Sequence, residues 1–578
     1  MNIPTELQFR DVRKQNKVII SKQQRQVLPQ NGTNFTMTST GQQQIIFRLP
    51  NDENASIDFN SLWIVANVQI KGLPADISTA SANLTNPNLI GTRISSTAAD
   101  PSVLTITNHN IPILALGDSI ESIIARVAVY VNGSELERQD YYNQWESFSN
   151  MHTNNSGFAN SLGAGAMLMN LDVLEKSRQL LVGSTAPDSN IIQVSFPLRY
   201  LGLSNLRSLV PSYLMGGGQS SIEIRIYLTS VTDCLTCGIV NSGTTNATIQ
   251  PLEKFTPSTT IPTIQLSEVR MNIDYVQTSE DYSSALREYL TGNALTLPLK
   301  TYYQTQYQIN ANAGGWQNYT VSTQFSDIEA VFCVFFNSSE ANNIAYLGSD
   351  RCHKPKSLIQ ARLSINGQVY PAVPISFNSG SKSYCGEGYQ YLIKALFQNA
   401  SLEVLGNTNQ KYVPINNNTV LLANMLTIPS TTVANTAYIN AYANATIAGG
   451  VINNPIGNYE SKVGSGYFYG VDKRYAKNIA FTEPVNAAGV YTVDNHNLIV
   501  EPEIFWESPT QFGIGFDVSK SSYNDEYTLS GADLSKTSGL IQVQLQFDGS
   551  DANAYNCLVV VQHKRLLEIG MDNSTIVY

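Results

Sequence analysis

The stretch Ile123–Asp140 reads IIARVAVYVNGSELERQD. Its first nine residues are apolar except for Arg126, and they are rich in the β-branched types that fill strands. Asn132-Gly133 then supplies two residues that tolerate positive φ, the signature of a two-residue hairpin turn. Ser134–Arg138 is the return strand. Beyond it, Tyr141, Trp145, Phe148 and Met151 recur at helical spacing, which predicts a short helix over Asp140–Met151. The same order returns downstream. Residues 359–367 read IQARLSING, and Asn366-Gly367 again closes a strand ahead of an aromatic stretch, Tyr389–Phe397. The two turns, at 132 and 366, lie 234 residues apart. A period-two strand, Ile222–Leu228, has its counterpart 319 residues on, at Ile541–Phe547. The second unit is therefore longer between its marks, by roughly the length of the Asn/Ala/Thr/Gly-rich stretch Ala400–Gly464.

Two similar β-sandwiches explain both spacings. A parallel α/β fold would need a helix between most strands, and few helical patterns appear. The predicted class is all-β: two consecutive eight-stranded antiparallel jelly rolls, a double jelly roll, with long loop insertions and few short helices. The expected boundaries are an N-terminal arm at 1–36, a first jelly roll at 37–229, a linker at 230–262, and a second jelly roll at 263–578 with a loop insertion at about 400–464. At the start of the second unit, Val269, Met271, Ile273 and Tyr275 alternate with polar residues. Thr278 and Asp281 then fit a capping box. Tyr282, Leu286, Tyr289 and Leu290 line one face of a helix that Gly292 ends.

Composition narrows the function classes. The chain has 578 residues, 42% hydrophobic and only 14% charged, which excludes a disordered or coiled-coil chain. The net charge of −10 argues against a dedicated nucleic-acid binder. No run is long and apolar enough for a membrane span. The first 34 residues lack the apolar region of a secretory signal, and six cysteines are too sparse for a disulfide framework. The expectation is a chain made in a reducing compartment.

Catalytic motifs are missing from the sequence. It has no Gly-x-Ser-x-Gly elbow, Walker loop or His-Glu-x-x-His. Gly117-Asp118-Ser119 reads as a turn. The histidines are scattered, and Cys234-x-x-Cys237 is half a zinc site whose complement could come only from Cys352 and His353 or another subunit. The expectation is no catalytic residue, no metal, no cofactor and no small-molecule substrate. Sequons such as Asn154, Asn246, Asn318, Asn337, Asn417 and Asn444 read as chance in an Asn- and Thr-rich chain. Asp140 and Glu146 read as surface charges beside Trp145. The arm carries Arg10, Arg13, Lys14, Lys17, Lys22 and Arg25 against Glu6 and Asp11.

Several stretches resemble the double jelly-roll major capsid proteins of large eukaryotic DNA viruses, virophages and polinton-like viruses. Val127–Asp140 followed by Trp145 looks like the family's strand, Asn/Gly-Gly turn and aromatic helix. Phe196–Gly202, then Leu209-Val210-Pro211 and Ile222–Leu228, is similar to the end of its first jelly roll. Ala361–Gly367 with Tyr389–Phe397 resembles the second hairpin and helix. Ser530–Lys536 leading into Ile541–Phe547, and Leu558–Tyr578, are similar to its C-terminal part. The resemblance spans roughly residues 40–578. It implies a homotrimer whose six jelly rolls make a pseudo-hexameric capsomer, neighbouring capsomers in an icosahedral shell around a DNA genome, and penton and minor capsid proteins as partners. It further implies a virion location after synthesis in the host cytoplasm or a virus factory. The basic arm would face inward, toward an internal membrane or the genome, because Lys and Arg attract phosphate. The competing reading is a β-sandwich carbohydrate-binding or carbohydrate-active protein, for which 30 tyrosines leave room.

Overall fold

The computed structural model describes the chain outside residues 1–18, 81–93, 154–164, 167–172, 213–221, 242–255, 340–351, 378–385, 398–445, 452–511, 520–530 and 535–539, and a few shorter stretches and single positions. The expected loop insertion lies almost wholly outside the described residues.

Sixteen of the strands form the main paths of four sheets, and three shorter ones, Phe35–Met37, Val210–Pro211 and Ser574–Val577, pair alongside them. In the first half the main-path strands are β1 (Ile19–Val27), β2 (Gln44–Arg48), β3 (Ala55–Lys71), β4 (Ile124–Val131), β5 (Ser134–Asp140), β6 (Ile192–Phe196), β7 (Ile222–Leu228) and β8 (Thr263–Thr278). They pair in the orders β1-β8-β3-β6 and β2-β7-β4-β5. The second half has β9 (Leu295–Ile309), β10 (Gly314–Ser322), β11 (Ile328–Asn337), β12 (Leu358–Ile365), β13 (Gln368–Ser376), β14 (Gly513–Asp517), β15 (Leu540–Asp548) and β16 (Tyr555–Ile569). Their orders are β9-β16-β11-β14 and β10-β15-β12-β13. Adding eight to each label of the first half gives the second. These pairings are all antiparallel. Each half is thus an eight-stranded jelly roll.

The strands follow from their side chains. In β7, Ile222, Ile224, Ile226 and Leu228 are buried while Glu223, Arg225 and Tyr227 are half-exposed. In β15, Ile541, Val543, Leu545 and Phe547 are buried and the glutamines between them are half-exposed. The second hairpin turns as its sequence predicts, with Asn366 at φ 51° and Gly367 at φ 81°. Both values are left-handed, which a type I′ turn requires. Gly133 stands at φ 80° in the first hairpin, and Asn132 lies outside the described residues.

Helix α1 (Tyr142–Thr153) follows β5, and α3 (Gly386–Phe397) follows β13. Between the rolls lies α2 (Glu280–Leu290). Its N-cap is Ser279, whose hydroxyl accepts from the Tyr282 N–H at 3.3 Å, one residue beyond the expected Thr278. Thr278 instead ends β8, with its hydroxyl 2.8 Å from Ser283. Tyr282 and Tyr289 of the predicted helical face are exposed, and Leu290 is buried.

Two expected boundaries move. Thr263–Thr278, read as the opening of the second jelly roll, pairs with β1 and β3 and completes the first. Part of the arm is also a sheet strand, since Ile19–Val27 pairs with β8 from Thr278 to Met271. Within the expected linker, Leu235–Asn241 forms a three-stranded sheet with Asn110–Leu116 and Thr256–Pro257.

Candidate functional site

The two rolls meet at a buried seam built around α1. Its Trp145 is buried, with ring centroids of Phe148 at 5.9 Å, Tyr200 at 6.3 Å, Tyr302 at 5.6 Å and Phe332 at 5.0 Å. Tyr200 belongs to the first roll, whereas Tyr302 on β9 and Phe332 on β11 come from the second. Helical spacing from Tyr142 through Trp145 to Phe148 puts these rings on one side of α1. The helix starts at Tyr142, which is buried, and Tyr141, placed on the predicted helical spacing, precedes it and is exposed.

Beside the rings, β5 packs along β9. The approach is close at Gly202, where a methyl group would lie 2.9 Å from the Lys300 carbonyl oxygen. The Gly202 N–H donates to both Glu137 carboxylate oxygens, at 2.8 and 2.9 Å. The Gln139 amide donates to Glu137 at 2.8 Å and also to the Tyr200 carbonyl. Burial pushes the Glu137 carboxyl up to about 7, against the opposing pull of these donors and of Arg565 across the seam.

A second polar cluster lies behind α1. Arg199 Nε reaches Glu121 at 3.3 Å, and an Arg199 terminal nitrogen lies 4.0 Å from Glu146. The Tyr142 hydroxyl donates to Glu121 at 2.9 Å, and the Tyr200 hydroxyl to Asn150 at 3.1 Å. Glu146 is fully buried and is not the surface charge its sequence position suggested. Ser119 of the Gly117-Asp118-Ser119 turn caps a short helical turn and donates to Glu146. Burial raises the Glu121 carboxyl, with Arg199 opposing it. On the second roll, Lys564 and the Gln562 amide hold Glu329 at 3.0 and 2.9 Å.

In these arrangements the buried carboxylates are held by hydrogen bonds and ion pairs to neighbouring side chains and backbone. Desolvated charges of this kind are tolerated only when paired, and each roll supplies its own partners, Arg199 for Glu121 in the first and Lys564 for Glu329 in the second. Among the described residues no three His, Cys, Asp or Glu side chains converge as metal ligands. Cys234 and Cys237 are both buried thiols, and burial pushes Cys237 up to about 12. Cys352 bridges to Phe336 of β11.

The basic arm divides. Lys22 pairs with Asp274 at 2.7 Å and Asp58 at 3.5 Å. Arg25 pairs with Asp52, its guanidinium 4.3 Å from the Tyr275 ring centroid. Arg10, Arg13, Lys14 and Lys17 lie outside the described residues. Sequence reasoning missed Glu137, Gln139 and Glu121 as buried groups. A polar residue in a strand or turn reads as outward-facing, and no local signal says that segments distant in sequence, Arg199–Gly202 among them, cover that face.

No family model matches the chain, and no curated protein matches its sequence. Among solved structures, the Faustovirus major capsid protein is similar at 9% identity and a TM-score of 0.46, covering 96% of this chain and 91% of that one. The PBCV-1 virus capsid is similar at 7% identity and 0.44, covering 96% of each chain. The Sputnik virophage structure is similar at 10% identity and 0.42, covering 97% of this chain and 89% of that one. These are distant likenesses. By the order of its own sheets, the chain is a double jelly roll.

Proposed function

We propose that the chain is a structural major capsid protein of a DNA virus and has no catalytic role. Three copies associate as a homotrimer, and their six jelly rolls make a pseudo-hexameric capsomer that tiles an icosahedral shell around the genome. The observation that carries the reading is the fusion of two jelly rolls of identical strand order through a seam of buried rings. A fixed pair of like rolls is the unit from which three copies build a six-part ring. The hairpins and helices at 123–153 and 359–397 that carry the sequence resemblance support it as well.

Neighbouring capsomers, penton proteins and minor capsid proteins are the partners of such a block, and the virion is its location, after synthesis in the cytoplasm or a virus factory. Lys22 and Arg25 already have carboxylate partners in the chain. Any contact of the arm with a membrane or the genome therefore falls to Arg10, Arg13, Lys14 and Lys17.

Light scattering after size exclusion tests the proposal. The expected species has three times the 63.4 kDa chain mass and holds together on dilution. A stable monomer overturns it and turns attention to a glycan-binding screen.

A further inference from the structure

His563 lies directly behind the seam, with 1% of its surface exposed. It follows Val559 and Val561 at period two on β16, on the face that lines the second roll's core. Its ring stacks on Phe325, with 3.7 Å between centroids and 9° between planes. The Arg565 guanidinium stands 5.1 Å from the same Phe325 ring. On β9, Thr301 is the in-register partner of His563, and its hydroxyl lies 3.1 Å from Nε2 and 3.4 Å from Nδ1. The Thr301 methyl abuts Gly202 of the first roll, where a methyl group added to the glycine would come within 2.8 Å of it. The Phe325 segment is tied down by part of the Ser530–Lys536 motif. The Leu534 N–H donates to the Phe325 carbonyl at 3.0 Å, and Ile328 and Ala532 exchange backbone bonds of 3.0 and 2.8 Å. The Gly531 N–H donates to the Asp327 carboxylate.

These surroundings suit a neutral imidazole. A neutral ring has one N–H and one acceptor nitrogen, which a single hydroxyl can serve. A protonated ring has two N–H donors and needs two acceptors. Among the described residues, the Thr301 hydroxyl is the hydrogen-bond partner of both nitrogens. The neighbouring charges do not help. Arg565 shares the His563 face of β16 and is a like charge. Lys564 and Lys300 lie on the opposite faces of their strands, around Glu329, which Lys564 holds at 3.0 Å. Asp327 is bonded to Gly531, and Asp533 is exposed. Glu137, across the seam from Arg565, takes up its own proton at about 7 and cannot offset a new cation in acid. Burial and Arg565 together hold the His563 ring well below the usual imidazole range.

We propose that His563 is an acid-sensitive latch: a proton forced onto its buried ring drives it from Phe325 and Thr301, and the second roll loosens where Thr301 meets Gly202. The unfolded chain takes up that proton near ~6.5, whereas the native chain resists it until the solution is more acidic. Stability from this group is therefore fully present above about pH 7 and is lost as pH falls below it. The direction is opposite to that of a buried carboxyl. The latch belongs to the single chain and stands apart from its assembly.

The test is urea unfolding of the full chain and of His563→Gln, at one chain concentration, at pH 7.5 and pH 5.0. The glutamine amide can still bond Thr301 and takes up no proton. Relative to the variant, the parent's unfolding constant is expected to rise about 30-fold on acidification, the factor set by an imidazole that charges near ~6.5 when unfolded and stays neutral at pH 5.0 when native. Taking the ratio of the two chains cancels Glu137 and every other titrating group they share. A ratio that is the same at both pH values overturns the latch. If His563→Gln does not fold, hydrogen exchange of the parent decides. Corrected for its intrinsic pH dependence, exchange in peptides covering Phe325–Ile328 and Gly531–Leu534 is expected to be at least about tenfold faster at pH 5.0 than at pH 7.5, relative to peptides from β3. Equal relative exchange at the two pH values overturns the proposal.

Discussion

At the scale of the residue, Glu137 makes the seam sensitive to pH. Burial holds its carboxyl up at about 7, whereas an exposed glutamate titrates near ~4.3. Between those values the native chain keeps a proton that the unfolded chain has released. Stability from this group is therefore fully present below about pH 4.3, falls as pH rises toward 7, and is level above it. At ~1.4 kcal/mol per unit, the ceiling of the effect is about 4 kcal/mol. Glu137→Gln keeps an acceptor for the Gly202 N–H and removes the titration. Its stability relative to the parent is expected to rise between pH 5 and pH 8, read by urea unfolding at both. An equal difference at the two pH values would show that Glu137 does not titrate in that window. Trp145 gives a second prediction at this scale. Trp145→Ala empties the centre of four neighbouring rings, a loss of about 3–5 kcal/mol in the same assay.

At the scale of the element, turns and caps decide where strands and helices begin. Gly367 stands at φ 81°, where a β-branched residue is strained. Gly367→Val is expected to lose about 1–2 kcal/mol of stability in thermal unfolding. Ser279→Ala, which removes the cap of α2, is expected to lose about 1 kcal/mol. Both hairpins were legible in the sequence because the turn and its two strands are contiguous. The helix around Trp145 was legible for the same reason. The place of β8 was not, because it pairs with Ile19–Val27 and with Ala55–Lys71, some 200 residues earlier. Local alternation marked it as a strand without revealing which roll it completes. The seam was hidden by the same physics. Glu137 in β5 and Glu146 in α1 have ordinary polar spacing, and only the arrival of other elements desolvates them.

At the scale of the whole molecule, β11 is the strand that fuses the rolls. Val331, Cys333 and Phe335 fill the core between the second roll's own sheets. Phe332, Val334 and Phe336 point the other way, into the core that continues from the first roll, together with Leu558 and Val560 of β16. Burying five such side chains, at ~1.5–3 kcal/mol each, is worth about 10 kcal/mol. That is comparable with the entire stability of an ordinary domain, ~5–15 kcal/mol. Neither roll can leave the other without exposing that surface, so the two are expected to unfold together. Calorimetry of the parent chain is expected to give one transition, with the van't Hoff and calorimetric enthalpies agreeing for the unit. Phe332→Asp places a charge in the seam while leaving the opposite face of β11 in its own core. It is expected to separate the melt into two transitions, because it weakens the link between the rolls more than either roll. Two resolved transitions in the parent chain would mean that the seam is weaker than its buried surface implies, and the jelly rolls would then be independent units on one chain.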